Sequence, residues 1–344
     1  MITKVLGVNS ASALADSCQS EGPLLSVTVI AYHHGPFISR CLDSLLAQRT
    51  NFPIEILVGD DCSNDGTKEI VERYQRENPG KVRAFVNDQN LGPARNSENL
   101  RSFVRGKYYL GFEGDDFLIC DTFFQSAVDY LEAHTDIAAV CGGTVSVDPE
   151  GLNPRKSQAR FQLGRNYSLN DYLKFGYTIH GNTMVRRWSA FDVNSPKYKN
   201  LRASAPHMGD VISKCLTYNA GDVYVLPAYV HAHRSGAMTP SSFSFQQASK
   251  TIHYTDMYLQ ITNALENYFG DGRSYRDLYL NRVAEVTLGV VLGNKAVSCS
   301  DWREYLKGLS IADRLRVITK VLAKLSLKLR RRVESLCVRE TRSV

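Results

Sequence analysis

Three carboxylates lie close together in the sequence at Glu113, Asp115 and Asp116, directly after the apolar run Tyr108–Leu110. The apolar run is typical of a buried strand, and Gly114 separates the first acid from the other two. Acids at this spacing repel one another unless a cation lies among them, and a hard divalent ion with oxygen ligands meets that need. A surface turn rich in Asp and Gly is the alternative. We favour a metal or phosphate site, since open α/β sheets bind ligands at the carboxyl ends of strands.

Two earlier polar clusters also follow apolar runs that are typical of strands. The run 24–30 ends in the stretch 31–35, and the run 54–58 ends in the acidic stretch 60–67. Apolar residues at helical spacing separate the strand-like runs. This alternation predicts an α/β fold with a mostly parallel sheet flanked by helices. The three clusters should then meet at one edge of the sheet.

The remaining elements follow from the same patterns. Further strands are predicted at 82–86, 137–141, 144–147, 178–185 and 223–226. Helices are predicted at about 37–48, from 70, at 97–104, 123–131 and 211–218, and a tyrosine-rich helical region begins near 244.

Composition narrows the class of protein. The 344 residues suffice for one large domain with an appendage, and 43% apolar residues support a sizeable core. The eight cysteines are scattered without a CxxC pair, which argues against a zinc site or a disulfide framework and favours a reducing cytoplasm. No apolar stretch is long enough to span a bilayer. Residues 1–22 lack a signal-peptide core and are expected to form a loose extension.

The positive charge is concentrated near the C-terminus. Residues 320–342 hold eight basic and two acidic side chains, so this segment alone carries a charge of +6, the net charge of the whole chain. The rest of the chain is therefore neutral overall, and we expect no nucleic-acid partner.

Four stretches of the sequence resemble, in order and spacing, the motifs of family 2 glycosyltransferases with the GT-A fold. They are Ser26-Val27-Thr28-Val29-Ile30-Ala31-Tyr32, Val58-Gly59-Asp60-Asp61-Cys62-Ser63-Asn64-Asp65-Gly66-Thr67, Asn90-Leu91-Gly92-Pro93-Ala94-Arg95-Asn96 and Glu113-Gly114-Asp115-Asp116. The resemblance implies a GT-A domain at 23–240, with a nucleotide-sugar half at 23–147 and an acceptor half at 148–240. A helical region at 241–344 would follow.

The resemblance also implies a reaction. A sugar would pass from a nucleotide-diphosphate sugar, favoured to be a UDP-sugar, to a hydroxyl of a glycan or lipid-linked acceptor by one inverting displacement. Mg²⁺ or Mn²⁺ would neutralise the charge of the leaving diphosphate. Asp116 corresponds to the metal ligand, and Asp115 to a residue near the ribose or a metal-bound water. Glu113 stands where many relatives have Asp, so its reach is longer.

Four more residues match nucleotide-binding positions of the family. Ala31 and Tyr32 end the first motif, where Tyr32 would pack on the base or simply cap its strand. Asp61 would accept a hydrogen bond from the base, and uracil offers a suitable N–H. Arg95 would counter the diphosphate, or else be a solvated loop arginine.

Two residues of the second half complete the implied site. Asp210 corresponds to the acceptor-side base, although Gly209 replaces the usual Glu before it, and Asp210 is also a good N-cap for the next helix. His233 corresponds to a histidine that would complete the metal shell, against the alternative of a structural histidine. The stretch 180–183 resembles one near the acceptor site and receives no further role.

The C-terminal segment has a hypothesis of its own. Seven apolar residues step by three or four from Leu315 to Leu336, with Lys320, Lys324, Lys328 and Arg331 beside them. Such a basic amphipathic helix either lies on an anionic membrane or packs on its own domain. The first alternative would place the protein on the inner face of a plasma membrane. Independently of this helix, the family resemblance implies a role in bacterial surface-polysaccharide synthesis.

Two rival functions remain open. A sugar nucleotidyltransferase would need a glycine-rich loop bearing Lys or Arg after the first strand, but residues 31–35 hold one glycine and neither cation. A catalytically degenerate GT-A protein that binds a sugar or a partner is the second rival. The intact acids Asp61, Asp115 and Asp116 argue against it.

Overall fold

The structure, a computed structural model, describes residues 4–5, 22–156, 161–175, 179–205, 208–235, 251–292 and 299–340. The chain divides into two compact units. The first comprises Met1–Tyr172 and Tyr177–Ser241, and the second comprises Leu173–Gly176 and Ser242–Val344. Apart from residues 4–5 and 22, the predicted N-terminal extension lies outside the described part of the chain.

The strands, in chain order, are β1 (Lys4–Val5), β2 (Leu25–Ala31), β3 (Ile54–Asp60), β4 (Val82–Val86), β5 (Tyr108–Glu113), β6 (Phe117–Leu118), β7 (Ile137–Val147), β8 (Arg155–Lys156), β9 (Arg165–Tyr167), β10 (Val185–Arg187) and β11 (Asp222–Arg234). The α-helices are α1 (Ile38–Leu46), α2 (Thr67–Glu77), α3 (Pro93–Arg101), α4 (Phe123–Ala133), α5 (Leu169–Phe175), α6 (Pro196–Ser204), α7 (Gly209–Ala220), α8 (Thr251–Phe269), α9 (Arg276–Val291), α10 (Cys299–Lys307) and α11 (Ile311–Glu340).

The first half of the sheet is parallel. Strands β4, β3, β2 and β5 are neighbours in that order, and each pairs in parallel with the next. The register opposes Ala31 to Asp60 and Ile30 to Glu113, so the ends of β2, β3 and β5 lie side by side. The predicted α/β sheet and the convergence of the polar clusters at its edge are therefore confirmed.

Helices cover both faces of this sheet. On one face, Val27, Val29 and Ile56 pack in a core with side chains of α1, α2 and α4. On the other face, Leu57 packs with Phe85 and with Leu100 of α3. Because both faces are buried, the strands are apolar at nearly every position, which made them recognisable in the sequence.

The second half of the sheet is mixed. Strand β10 runs antiparallel between β5 and β7, whereas β7 and β11 are parallel. The short strand β6, which follows the acidic cluster, pairs antiparallel with β11. This last pairing places residues 231 and 232 opposite residues 118 and 117, so β11 runs directly past the acidic cluster.

Two predicted strand boundaries were wrong because glycines are tolerated inside β7. The segments 137–141 and 144–147 form one strand through Gly142 and Gly143, and the strand predicted at 223–226 continues to residue 234. A Cβ on Gly142 would lie 2.6 Å from both Cγ atoms of Val230, and one on Gly143 would lie 2.7 Å from the Tyr229 ring. The glycines thus permit side chains of β11 to approach the backbone of β7 closely.

The strand predicted at 178–185 was also wrong. Gly181–Thr183 forms a 3₁₀ turn, and strand pairing begins only at Val185. The Thr183 hydroxyl and backbone N–H both donate to the His180 carbonyl, at 2.9 and 3.1 Å, which closes the turn. Such local bonds from a Thr side chain compete with strand pairing.

The second unit is helical, as the pattern from 244 onward predicted. Its core joins α9 to α11 through a buried set of apolar side chains: Leu280, Val283, Ala284, Leu288, Val317 and Val321. Among the described residues, no helix has the length and apolarity needed to span a membrane.

The orientation of α11 differs from the simplest amphipathic picture. Lys320 contacts Asp277 at 3.1 Å, and Lys324 is buried and contacts Glu285 at 2.9 Å. Leu315 and Leu322, each 60% exposed, lie on the outer side together with Ile311 and Ile318. The two lysines therefore hold the helix to its own unit, and the apolar stripe is left on the surface.

Candidate active site

Asp116 is the most enclosed carboxylate of the acidic cluster, with 2% of its surface exposed. Its Oδ2 accepts hydrogen bonds from Asn182 Nδ2 at 2.8 Å and from His231 Nε2 at 3.0 Å. Its Oδ1 accepts one from the backbone N–H of Arg234 at 3.0 Å. Although burial opposes ionisation, the bond and charge of His231 lower the pKa of Asp116 to about 2. The carboxylate is therefore ionised and fixed in orientation.

Arg234 braces the same turn a second time. Its side-chain Nε donates to the carbonyl of Asp115 at 2.7 Å, and its guanidinium lies 5.1 Å from the Phe117 ring. Arg40 lies 3.7 Å from the same ring. Arg234 directly follows His233 in the sequence, and nothing in its spacing indicated that both its backbone and its side chain would hold the acids.

Two groups of side chains at this point have the geometry of a metal site. Glu113, Asp115 and Asp116 bring ligand atoms within 4.8 Å of one another, and so do Asp116, His180 and His233. Asp116 belongs to both groups. These oxygen and imidazole donors are of the kinds that bind divalent cations, so the residues present fit a metal ion.

The electrostatics of the acidic cluster also fit a bound cation. Desolvation, followed by the charges of Asp115 and Asp116, raises the pKa of Glu113 well above its usual range. Desolvation also raises the pKa of Asp115. The charge of His34 lowers this pKa, and repulsion from Asp116 raises it. A cation among the three acids would remove this repulsion, as the sequence analysis expected.

Asp210 lies within the first turn of α7 and does not act as its N-cap. The N-cap position is Met208, and no side-chain bond caps the helix. The Asp210 side chain is 79% exposed, and its Oδ2 lies 3.6 Å from Lys214 Nζ. The charge of Lys214, one turn further along the helix, is the main cause that lowers the pKa of Asp210. Asp210 is thus an accessible, ionised carboxylate.

The turn Gly181–Thr183 is close to both Asp116 and Asp210. Its Asn182 donates a hydrogen bond to Asp116, and a Cβ added to Gly181 would lie 3.5 Å from Oδ1 of Asp210. One short turn therefore bonds the candidate metal ligand and lies near the candidate base. The sequence pattern predicted a strand here, and the resemblance of residues 180–183 to a stretch near the acceptor site of the family gave no role to a particular residue.

The predicted nucleotide residues gather at the ends of β2 and β3. Ala31 ends β2, and the half-buried Tyr32 stacks on His33 with ring centroids 4.0 Å apart. Buried Asp61 accepts hydrogen bonds from Asn87 Nδ2 and from the backbone N–H groups of residues 91 and 92, at 2.8 to 2.9 Å. Arg95 is exposed in the first turn of α3. Asp61 hence shapes the loop that leads to Arg95.

A buried polar network beneath the site had no signal in the sequence. Arg101, at the end of α3, donates to Tyr109 Oη at 3.2 Å, Glu98 Oε1 at 2.7 Å, Tyr198 Oη at 3.0 Å and Ser213 Oγ at 3.1 Å. Ser213 lies on α7, which carries Asp210. The network therefore joins α3, the helix that carries Arg95, to the helix of the candidate base.

Residues 26–191 match the family model described as glycosyl transferase family 2. An uncharacterised protein of Mycobacterium tuberculosis is 29% identical over 168 residues, which cover 49% of this chain and 48% of that protein. The abequosyltransferase RfbV of Salmonella typhimurium is 26% identical over 200 residues, covering 54% and 59%. The chain spans about half the length of the first curated relatives it matches.

Solved structures share the fold. Residues 1–349 of Staphylococcus aureus TarS align with a TM-score of 0.55 at 19% identity, covering 86% of this chain and 80% of that one. The same protein in complex with UDP gives a TM-score of 0.54 at 18% identity, with coverages of 82% and 77%. With the family match, the strand order and the acidic cluster at the sheet edge, the chain carries a glycosyl transferase family 2 domain of the GT-A type.

Proposed function

We propose that the chain transfers a sugar from a nucleotide-diphosphate sugar to a hydroxyl of a glycan or lipid-linked acceptor, with inversion, in bacterial surface-polysaccharide synthesis. The observation that carries the proposal is that Asp116 and Asp210 both lie close to the turn Gly181–Thr183, the first through a hydrogen bond from Asn182 and the second 3.5 Å from where a Gly181 Cβ would lie. A donor held at Asp116 and an acceptor hydroxyl held at Asp210 would meet beside this turn.

On the donor side, Asp116 and His233 would hold Mg²⁺ or Mn²⁺, and Asp115 would face the ribose or a metal-bound water. The ion supplies positive charge that stabilises the leaving diphosphate. The protein's own part is orientation, because three hydrogen bonds fix the Asp116 carboxylate before any ligand arrives. Glu113, beside Asp115, would add a further carboxylate at the rim.

On the acceptor side, Asp210 would take the proton of the attacking hydroxyl. Its lowered pKa keeps it ionised at neutral pH, and its exposure leaves it accessible. One displacement with the base on the face opposite the leaving diphosphate inverts the anomeric carbon. Lys214 holds the Asp210 carboxylate from its own helix.

For the nucleotide, Tyr32 would pack on the base, the loop that Asp61 organises would surround it, and Arg95 would counter the diphosphate. The exposed position of Arg95 in the first turn of α3 supports this role, because helix N-termini also favour phosphate. We infer a UDP-sugar as the donor, supported by the fold shared with TarS, whose structure holds UDP.

Calorimetry tests the proposal directly. UDP, GDP, CDP and dTDP are titrated in Mn²⁺ and in EDTA into the full chain, Asp116→Asn and the control Asp121→Asn, which changes a surface aspartate. One nucleotide should bind in Mn²⁺, with binding at least about 10-fold weaker in EDTA and in Asp116→Asn. Absence of nucleotide binding under both conditions would favour the degenerate, non-catalytic rival.

We further propose that α11 rests on an anionic membrane at the inner face of the plasma membrane. The exposed apolar side chains at 311, 315, 318 and 322 support this, together with the exposed Arg314 and Arg316 nearby. The sequence adds Lys328 and Arg330–Arg332 further along the same helix. An apolar face flanked by cations suits an anionic lipid surface.

A further inference from the structure

Three histidines surround Asp116, and one of them has both ring nitrogens occupied. Nε2 of His231 bonds Asp116 at 3.0 Å, and Nδ1 bonds the Thr144 hydroxyl at 3.2 Å. His231 is fully buried. Its role is therefore to orient the carboxylate, since no nitrogen lone pair remains for another partner.

The other two histidines are different. The ring of His180 lies 4.8 Å from that of His231 and 4.9 Å from that of His233. Neither the His180 ring nor the His233 ring makes a hydrogen bond to any residue in the described ranges, and Nδ1 of His180 is buried without a partner. A buried polar atom left unpaired is unfavourable unless something outside the protein satisfies it.

We propose that His180 is a second imidazole ligand of the cation at Asp116 and His233, and that this donor set makes the site prefer Mn²⁺ over Mg²⁺. The inference rests on the proposed metal site and assigns a residue that neither the motifs nor their spacing indicated. Ligand atoms of all three side chains lie within 4.8 Å of one another, close enough to share one ion.

The preference follows from donor chemistry. Mg²⁺ favours oxygen ligands and gives up its water reluctantly, so a nitrogen in place of an oxygen weakens its binding. First-row transition ions accept imidazole readily. His180 is suited to this role because its Nδ1 is buried and makes no hydrogen bond to any described residue.

The position of His180 also places the proposed ion beside the turn that lies near the candidate base. It directly precedes the turn Gly181–Thr183, in which Asn182 bonds Asp116 and a Cβ added to Gly181 would lie 3.5 Å from Asp210. A cation bound by His180 would therefore anchor this turn as well as the strand end that carries the acids. Metal binding would then help to set the distance between donor and base.

The test measures metal affinity without turnover. Mn²⁺ is titrated into the full chain and followed by the electron paramagnetic resonance signal of the free ion, and Mg²⁺ is measured by its competition for the bound Mn²⁺. His180→Phe keeps a ring of similar shape without nitrogen, and His134→Phe alters a histidine stacked on Tyr130, away from the cluster.

We expect His180→Phe to weaken Mn²⁺ binding at least about 10-fold, since loss of even an outer-shell partner has effects of this size. Mg²⁺ binding should weaken less than Mn²⁺ binding. The preference of His180→Phe for Mn²⁺ over Mg²⁺, measured as the ratio of the two dissociation constants, should therefore be smaller than that of the wild type. His134→Phe should match the wild type. Thermal unfolding in EDTA checks that each variant folds, and His180→Asn replaces His180→Phe if the latter does not.

The outcomes separate this inference from the proposed function. An unchanged Mn²⁺ affinity and an unchanged preference in the His180 variants would overturn the role of His180 and leave the metal site at Asp116 intact. A wild-type chain that binds UDP in EDTA but binds no Mn²⁺ would remove the metal site altogether. A wild-type chain that binds neither would remove the proposed function.

Discussion

Arg101 and Ser213 are 112 residues apart in the sequence, yet Nη2 of the arginine donates to Oγ of the serine over 3.1 Å. The arginine lies at the end of the helix that begins near Arg95, and the serine lies one turn after Asp210. The helix that carries Arg95 and the helix that carries Asp210 are thus joined through a single buried guanidinium. On the proposed function, this guanidinium would link the nucleotide side of the site to the acceptor side.

The Arg101 network predicts a stability effect. Arg101→Met should lower the free energy of unfolding by about 3 kcal/mol. The change removes the buried guanidinium and leaves its hydrogen-bond partners Glu98, Tyr109, Tyr198 and Ser213 without it. Urea denaturation measures the change. Arg49→Met, which breaks an ion pair whose partners are 71% and 54% exposed, should change stability by less than about 1 kcal/mol. Equal effects would show that the network contributes no more than a surface pair.

The glycine in the middle of β7 predicts a rescue experiment. Gly142→Ala should destabilise the protein by about 1 to 3 kcal/mol, because the new methyl would lie 2.6 Å from both γ-methyls of Val230. Val230→Ala in the same chain should restore part of the loss, giving a favourable coupling in a double-mutant cycle. Gly22→Ala, where nothing lies within 4 Å, is the control. Strict additivity would argue against the clash.

Lys214 predicts the pH dependence of transfer, on the proposed function. The pKa of Asp210 is lowered by Lys214, so the base loses its proton below the ordinary aspartate value of about 3.9. Lys214→Met should raise that pKa and move the acid limb of kcat/KM to higher pH. The shift should stay below about one unit, because the Asp210 side chain is 79% exposed and solvent screens its charge.

The matched control for that pH profile is Lys68→Met, which alters an exposed lysine of α2. It should leave the acid limb in place. An acid limb that does not move in Lys214→Met would indicate that Asp210 is not the titrating base, whatever the effect on the maximal rate.

The apolar surface of α11 predicts membrane binding. Full-length protein should pellet with anionic vesicles at low salt and less at high salt, since the flanking cations act through screened charge. Replacing Leu315, Ile318 and Leu322 by Ser should reduce pelleting at both salt concentrations, because each residue loses about 1.5 to 3 kcal/mol of burial.

The control for vesicle binding replaces Ile119 and Leu152, which are exposed apolar residues of the first unit, by Ser. This variant should pellet like the wild type. Equal pelleting of all three proteins would exclude α11 as the membrane contact and favour the alternative of a helix that only packs on its own unit.

The sheet edge was predictable from sequence, and the physical reason is burial. Strands β2, β3 and β5 are enclosed on both faces, so each appears as an apolar run that stops abruptly at polar residues. The ends of parallel neighbours coincide, so Tyr32, Asp61 and the acidic cluster follow strand ends that lie side by side, as the pattern predicted. The sequence does not show which carboxylate oxygens already accept hydrogen bonds from other protein groups.

The histidines show where this reasoning stops. His231 and His233 alternate on one strand and face the same side, so spacing alone cannot tell which one orients Asp116. That distinction depends on Thr144 of a neighbouring strand, whose hydroxyl occupies Nδ1 of His231. His180 was missed because a turn closed by a threonine hydroxyl resembles a β-branched strand in sequence.

Lys320 and Lys324 suggested a basic membrane-facing side of α11, and the sequence could not show that they contact another helix. Their spacing along α11 placed them beside an apolar stripe, but the acids that attract them, Asp277 and Glu285, belong to another helix. A helical pattern shows which side chains share a face, and it does not show which face meets a partner.

The turn Gly181–Thr183 has a consequence for how such an enzyme diversifies. Asn182, which bonds Asp116, directly follows Gly181, which lies near Asp210. On the proposed function, the spacing of metal ligand and base would therefore depend on this turn, and the longer surface loops would be free to change length and composition during evolution or in directed engineering. New acceptors would then be acquired by rebuilding the periphery, while insertions within the turn itself should abolish transfer for every substrate alike.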